Sequence, residues 1–448
     1  MRGSLLATLF AGIVLVLGIL CHAGGYLHWE SSAFLLHYTA DRPLLKIIFD
    51  PAKNDWGLYQ CRELSYFVDW LDAQAVYQLL LAGYGWFISL AAILLSLFTL
   101  WFQQYAGRRL FPRLPGVFFT LHALAFALLP ALTESLFFRS SKFLAAAGIT
   151  VLVFGTALRC RFPGCRWGKL SILGAAALAA SFSDRQGIFF VTAFTGIISV
   201  MQLFHPRRIL QKVIFLCAGI ILFQAAANLW IVPWIIKELN GYQADFSYQG
   251  NFQTDLSLFR SGVIFFTANL GHAFTGLNSL DAALPAGGVV FLFLLFLQRR
   301  QRHLPGWVFC GAVLSVIVCS GLMVSRHPPL LDKDVIFANY FLPSLALLTF
   351  FYFAALSCLP ERFLKVSFIL PLLAILLRLQ PYLFPEQLFK TDKYQKTYQE
   401  ASGKFRYFLA HPDCPYKMLL MPGRMERLAE KLLQDGLRGA GMEKQQHR

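Results

Sequence analysis

The sequence predicts an all-α membrane protein, a polytopic bundle of transmembrane helices. Three observations support this prediction: 57% of the 448 residues are hydrophobic, only 14% are charged, and 44 are phenylalanine. A soluble domain has about 25% charged residues, which it needs to cover a surface that faces water. The composition therefore excludes soluble enzymes, disordered chains and secreted disulfide scaffolds, and it leaves a chain that crosses a bilayer several times.

Apolar stretches long enough to form spanning helices recur along the chain. A helix needs about 20 apolar residues to cross the hydrocarbon core of a bilayer. By this measure we predict eleven spans, at residues 4–27, 77–101, 116–133, 143–158, 168–183, 187–204, 213–236, 284–298, 305–324, 336–357 and 363–380. Residues 260–280 are half apolar and contain glycine and asparagine, so we predict a re-entrant or interfacial segment there.

The distribution of charge predicts the orientation in the membrane. The predicted inner loops hold 16 basic residues and one acidic residue, whereas the predicted outer loops hold 11 basic and 15 acidic residues. Because basic residues concentrate in cytoplasmic loops, the amino terminus is predicted in the cytoplasm. The net charge of +16 is then mainly a topology signal, and no basic patch predicts a nucleic-acid partner. The compact loops favour a bacterial inner membrane.

Two parts are predicted along the chain: a transmembrane domain at residues 1–384 and a small soluble tail at residues 385–448, outside the membrane. The long first outer loop, residues 28–76, contains seven acidic residues. Written as a helix, residues 62–75 separate an apolar face from a polar one, which predicts an amphipathic helix along the outer membrane surface. Its polar face, either solvated or turned to a substrate, consists of Arg62, Ser65, Tyr66, Asp69 and Asp72.

A second polar cluster lies between two apolar runs that are joined by almost no loop. It consists of Asp184, Arg185 and Gln186. Burying such charges is costly unless they are paired. The cluster therefore forms either a structural turn with a helix cap or a polar wall of an outward-facing cavity.

A third cluster lies in the last predicted outer loop within the membrane domain. Arg326 and His327 end one span, Lys333 precedes the next, and Tyr340 lies inside that next span. Arginine and lysine at such places either bind an anionic head group or extend their charges to the membrane interface.

The loops contain no metal-ligand spacing, P-loop or dinucleotide fingerprint. The sequence therefore does not identify a cofactor, and a divalent metal, Mg²⁺ or Mn²⁺, stays open. The short inner loops leave no room for the nucleotide site of an ATP-driven pump.

The arrangement resembles the GT-C superfamily of membrane glycosyltransferases. The shared features are a cytoplasmic amino terminus, one span, a long acidic outer loop with an amphipathic helix, about eleven spans and an outer tail. The stretch at residues 62–65, Arg-Glu-Leu-Ser, is similar to an Arg-x-x-Ser element of some bacterial members. The resemblance implies that an acid of the first outer loop is catalytic or binds metal. Asp55 matches that position, and Glu30, Asp50 and Glu63 stay open because no Asp-Asp or Asp-Glu pair follows the first span.

The outer location also limits the donor substrate. Nucleotide sugars are absent there, so the donor should be a sugar on a polyprenyl phosphate from the bilayer, and the acceptor a lipid or glycan of the envelope. A carboxylate would act as general base, while arginine and lysine would hold the leaving phosphate. We predict that the catalytic residues are Asp55, Glu63 and Glu30. We predict that the substrate-binding residues are Arg62, Asp69, Asp184, Arg185, Gln186, Arg326, His327, Lys333 and Tyr340.

Two other functions stay open. A transporter or flippase for a lipid-linked saccharide would place charges within its spans and would show an internal two-fold repeat, which this sequence lacks. An enzyme similar to O-antigen ligases would depend on Arg326 and His327 more than on Asp55.

Overall fold

The computed structural model describes residues 6–14, 29–50, 62–85, 88–129, 140–241, 256–275, 279–298, 313, 316–317, 320, 342–383 and 393–437. Within these residues all regular secondary structure is helical, as predicted. In chain order the helices are α1 (6–14), α2 (Trp29–Tyr38), α3 (Leu44–Ile48), α4 (Glu63–Leu81), α5 (Leu90–Leu110), α6 (Gly116–Ala127), α7 (Ser140–Arg161), α8 (Leu170–Ser181), α9 (Arg185–Phe204), α10 (Arg208–Ala226), α11 (Val232–Asn240), α12 (Leu256–Thr275), α13 (Leu280–Gln298), α14 (Leu342–Leu356), α15 (Glu361–Leu364), α16 (Ile369–Leu383), α17 (Lys393–Ala410) and α18 (Gly423–Gln434).

Four of the described helical stretches are long and apolar enough to cross a membrane on their own. They are α5, α7, α9 and the continuous stretch Arg208–Asn240, in which α10 passes into α11 through a π-helical turn at Ala227–Ile231. Helices α6 and α8 and most of α14 are apolar but shorter. The chain is therefore an integral membrane protein, and the total of eleven spans stays a prediction.

The span predicted at residues 77–101 lies at the wrong place. The structure divides this stretch into the end of α4, a turn and the start of α5. Gly83 has a φ of 80° in the turn, a conformation that glycine adopts without steric strain. Asp72 of α4 accepts hydrogen bonds from the amides of Leu90 and Ala91, at 2.8 and 3.1 Å, and so fastens the start of α5 to α4. Hydropathy did not show this turn because the residues around it are apolar.

Residues 260–280, predicted as a re-entrant or interfacial segment, contain most of α12 and the first residue of α13. The two helices meet at 86°, an arrangement that corresponds to a broken span or a re-entrant loop. They pack backbone against backbone: a Cβ on Gly271 would lie 1.9 Å from the carbonyl oxygen of Ala283. A Cβ on Gly287 would lie 1.8 Å from the carbonyl oxygen of Thr267. Small residues at such crossings let membrane helices approach closely.

The described helices share two hydrophobic clusters. The larger cluster lies inside the bundle and takes residues from α5–α10 and α12–α15. The smaller one joins α2, α3 and α4 of the predicted first outer loop to α11 and to the tail helices α17 and α18. The tail thus packs on the helices that precede the second span in the chain.

Helix α18 packs against α2, and one polar contact joins the end of the tail to α4. Its buried residues are Met425, Leu428, Ala429 and Leu432, a spacing typical of one helical face. The hydroxyl of Tyr77 on α4 donates to a carboxylate oxygen of Asp435 at 2.8 Å. The ammonium of Lys431 lies 2.7 Å from the same oxygen. These contacts hold the tail against the helix that carries Asp69 and Asp72.

The turn between α8 and α9 is also tightly packed. A Cβ on Gly187 would lie 1.8 Å from the carbonyl oxygen of Ala180 and 2.6 Å from its carbon. Gly196, two to three turns further along α9, has open space around the same position.

We expect Gly187→Ala to lower the midpoint of thermal unfolding in detergent. The new methyl group would overlap a backbone carbonyl that cannot rotate away, and overpacking of this kind costs about 1–3 kcal/mol. Gly196→Ala is the matched control on the same helix. It should leave the midpoint unchanged or raise it, since alanine favours a helix interior over glycine by roughly 0.5–1 kcal/mol. Equal midpoints for the two variants would contradict this account of the turn.

Candidate functional site

The polar face of α4 points into the protein. Ser65, Asp69 and Asp72 are 1%, 5% and 4% exposed, whereas Phe67 and Leu71 on the opposite face are 39% and 49% exposed. The helix packs its polar face towards α2, α5 and α7. The helix predicted at residues 62–75 is therefore present and amphipathic, but its polar face is not solvated. The polar residues face other helices, while Phe67 and Leu71 on the opposite face are exposed.

Asp184 connects three segments that are far apart in the sequence, one of which is the start of α4. It is the N-cap of α9, where its Oδ1 accepts a hydrogen bond from the amide of Gln186 at 2.8 Å. Its Oδ2 lies 3.1 Å from Nζ of Lys142 in the first turn of α7. The same oxygen lies 3.6 Å from Nη2 of Arg62, which precedes α4. The side chains of Asp184 and Lys142 are each 1% exposed, so this ion pair is buried.

The two cations keep Asp184 ionised. Burial alone would raise the pKa of the carboxyl group, but the positive charges of Lys142 and Arg62 outweigh burial and lower the pKa to about 2. The hydrogen bond from the amide of Gln186 lowers the pKa further. Asp184 is therefore a permanent anion at neutral pH, and it orients both cations.

Asp69 lies on the same face of α4 as Arg62 but has a different environment. Its Oδ1 accepts a hydrogen bond from the amide of Ser140, the first residue of α7, at 3.1 Å. Burial raises the pKa of Asp69 to about 7, although the hydrogen bonds from Ser140 oppose the rise. The charge of Asp72 raises this pKa further, and that of Arg62 lowers it. Asp69 can therefore gain or lose a proton near neutral pH.

Several polar atoms of the site are buried without a hydrogen-bond partner among the described residues. They are Nε of Arg62, both amide atoms of Gln186 and the hydroxyl oxygen of Tyr38 on α2. Buried polar atoms are normally hydrogen-bonded, and unpaired ones need an explanation. Arg62 has a donor, Nε, without a partner among the described residues, and its side chain as a whole is 19% exposed.

The structure brings together four of the residues predicted to bind substrate: Arg62, Asp69, Asp184 and Gln186. Arg185, the first residue of α9, adjoins them and is partly buried.

Of the predicted catalytic residues, the structure describes the side chain of Glu63 alone. Glu63 is partly buried at the start of α4, and Glu30 belongs to α2 with a side chain outside the description. Asp50 forms a 2.6 Å ion pair with Arg42. The remaining predicted site residues lie outside the described residues: Asp55, Arg326, His327, Lys333 and Tyr340.

Sequence reasoning did not select Lys142. The predicted span at residues 143–158 begins directly after Lys142, whereas the structure places Lys142 in the first turn of α7, where it is 1% exposed. One signal was present, since a lysine directly beside a long apolar run needs a counter-ion when it is buried. Its partner, Asp184, is 42 residues away in the sequence, and no local pattern connects the two.

No group of three or more His, Cys, Asp or Glu side chains in the described part of the chain is placed to hold a metal ion. The carboxylate of Asp184 faces cationic side chains instead.

No protein-family model matches the chain, and no curated protein matches its sequence. Among solved structures, the chain is similar to ArnT from Cupriavidus metallidurans bound to undecaprenyl phosphate. The TM-score is 0.53 at 15% sequence identity, and the match covers 96% of this chain and 74% of the ArnT chain. At this identity the likeness concerns the fold. The chain therefore has a GT-C-like fold, as its sequence predicted.

Proposed function

We propose that the chain is an integral membrane glycosyltransferase. It moves a sugar from a polyprenyl-phosphate carrier to a lipid or glycan acceptor of the cell envelope, on the outer side of the membrane. The observation that carries the proposal is the buried cluster of Arg62, Lys142 and Asp184 beside Asp69. The fold supports it, because the similar ArnT structure holds undecaprenyl phosphate.

The cluster suits the leaving group of this reaction, which is a phosphate ester. Arg62 has a planar guanidinium with a spare Nε donor, and such groups bind phosphate oxygens in pairs. Asp184 holds Lys142 and Arg62 together before any ligand arrives. Cations that are fixed in advance in a water-poor site stabilise negative charge as it develops. We assign Arg62 and Lys142 to the phosphate and Asp184 to their orientation.

The remaining predicted binding residues keep their roles in the proposal. Gln186 and Arg185, next to Asp184, would contact the sugar. Arg326 and Lys333 would contact the phosphate, and His327 and Tyr340 stay predicted substrate-binding residues.

The transfer also needs a base. The acceptor oxygen attacks the anomeric carbon, the bond from that carbon to the phosphate oxygen breaks, and the bonding electrons leave with polyprenyl phosphate. The acceptor proton passes to a carboxylate. Asp69 is the described carboxyl group that fits best, since its pKa of about 7 is close to working pH. Asp55, and after it Glu63 and Glu30, stay alternatives through the family resemblance.

We expect the rate of transfer to depend on the ionisation of Asp69. In wild-type protein, kcat/KM should fall about tenfold per pH unit below pH 7 and level off above it, because a base acts only when deprotonated. Asp69→Asn should lower kcat by about 10²–10⁴-fold and abolish that titration. The measurement is release of polyprenyl phosphate from nanodisc-embedded protein, given a panel of polyprenyl-phosphate sugars and an extract of envelope acceptors.

Asp435→Asn is the control, since Asp435 contacts the same helix through Tyr77 but lies outside the cluster. Asp55→Asn is measured in parallel. An inactive Asp55→Asn variant beside an active Asp69→Asn variant would move the base to Asp55. If no donor releases polyprenyl phosphate while proteoliposomes flip a lipid-linked saccharide, the transporter alternative replaces the transferase.

We expect Arg62→Gln to weaken donor binding. The substitution removes a charge-assisted hydrogen bond worth about 1.5–3 kcal/mol, so KM for the donor should rise by about ten- to a hundredfold. Arg42→Gln is the matched control, because Arg42 also forms an ion pair with an aspartate. Its partner is Asp50, at 2.6 Å, and not Asp184. A donor KM that changes equally in both variants would show that Arg62 has no special role.

A further inference from the structure

Three neighbouring helices carry neutral polar side chains at the place where they meet. Ser181 is the last residue of α8, and Gln186 lies in the first turn of α9. The two helix ends touch, since a Cβ on Gly187 would meet the backbone of Ala180. Nε2 of Gln224 on α10 donates a hydrogen bond to the carbonyl oxygen of Ser181 at 2.6 Å. The end of α8, the start of α9 and this part of α10 therefore form one junction.

Several hydrogen-bonding atoms at this junction are buried without a partner among the described residues. Ser181 and Gln186 are 0% and 1% exposed. The unpaired atoms are the hydroxyl oxygen of Ser181, both amide atoms of Gln186, and Oδ1 of Asn228. Asn228 lies one turn beyond Gln224 on the same helical stretch. Because buried polar groups are almost always hydrogen-bonded, four such atoms at one junction indicate a site for a polar ligand.

The backbone around Asn228 marks the same place independently. Asn228 belongs to the π-helical turn at Ala227–Ile231, which interrupts the long stretch Arg208–Asn240. Single π-helical turns within α-helices are rare, and they occur frequently at functional sites. The side chain oxygen of Asn228 is buried, but the residue as a whole is only partly buried. The junction therefore reaches the surface of the protein at this turn.

The charge at the junction is already balanced. In α8, α9, α10 and the turn between α8 and α9, Asp184 is the one acidic residue, and it pairs with Lys142 and Arg62. Arg185 is the basic residue beside it, and it too has an interaction with another group. A ligand with a buried charge of its own needs a counter-ion, which these helices do not offer. Amide and hydroxyl groups instead match the hydroxyl groups of an uncharged ligand.

We infer that Ser181, Gln186 and Asn228 form the subsite for the donor sugar, and that this sugar is uncharged and rich in hydroxyl groups. The inference rests on the proposed function. The amide of Gln186 donates to Asp184 at 2.8 Å, and Asp184 holds the two cations that we assign to the phosphate. A sugar that is bonded to that phosphate would lie next to the junction.

The first experiment measures binding without an acceptor, so that it does not depend on transfer. The full chain in nanodiscs is titrated with undecaprenyl phosphate that carries glucose, glucosamine or glucuronic acid. Undecaprenyl methyl phosphate is the reference, because it has the same phosphodiester charge but no sugar. Native mass spectrometry gives the bound fraction of each lipid. We expect the glucose lipid to bind about tenfold more tightly than the reference and than either lipid with a charged sugar.

The variants locate the subsite. Gln186→Leu and Asn228→Leu replace amides by apolar groups of similar shape. Each should weaken binding of the glucose lipid about three- to tenfold, as loss of one neutral hydrogen bond does, and should leave binding of the sugar-free lipid unchanged. Neither should lower the midpoint of thermal unfolding, because the unpaired atoms have no protein partner to lose among the described residues. A purely structural role would lower that midpoint. Gln211→Leu is the matched control, since Gln211 is exposed near the opposite end of α10.

The second experiment measures kcat/KM for transfer from the three sugar lipids. Preferential binding of the glucose lipid without transfer would keep the subsite and overturn the proposed transferase. Transfer from a charged sugar that equals or exceeds transfer from glucose would overturn the inference and leave the transferase in place. Equal binding of the glucose lipid and the sugar-free lipid, or full discrimination between them in both leucine variants, would also overturn the inference.

Discussion

The buried contact of Asp184 with Lys142 and Arg62 organises the rest of the structure. It connects the start of α4, the start of α7 and the start of α9, three segments far apart in the sequence. A buried ion pair adds little net stability, but removal of one partner leaves an uncompensated charge that costs about 3–5 kcal/mol. The contact therefore determines which arrangement of these helices is tolerated. That same arrangement places spare donors of Arg62 beside Asp69.

The two carboxyl groups of the site differ because their surroundings differ. Asp184 has two cations within 4 Å, and its pKa falls to about 2. Asp69 is buried with one backbone amide as its closest described partner, and its pKa rises to about 7. Separation of two pKa values by environment is how one site keeps a permanent anion and a group that exchanges protons. The difference between the two pKa values supports a division of roles, in which Asp184 holds the cations and Asp69 accepts a proton.

Helix α4 contacts both the tail and the helices of the bundle. Its buried polar face meets α7 and α5, while Tyr77 near its end bonds to Asp435 of the tail. The tail shares one hydrophobic cluster with α2, α3 and α4. A change in tail packing would therefore reach the helix that presents Asp69, through direct contacts rather than through the bilayer.

The sequence by itself determined the membrane class and the helical architecture, because composition and apolar run length report directly on the solvent around a helix. The resemblance to the GT-C superfamily came instead from the long acidic first outer loop and the stretch at residues 62–65. The sequence also selected Arg62, Asp69, Asp184 and Gln186 as candidates, since polar residues are sparse in such a chain, and the structure brings these four together. Only the tertiary structure decided which way α4 faces, since helical periodicity shows which residues share a face but not what that face contacts. Only the tertiary structure also shows which cations pair with Asp184. Lys142 and Arg62 are separated from it by 42 and 122 residues in the sequence, and only packing brings their charges together.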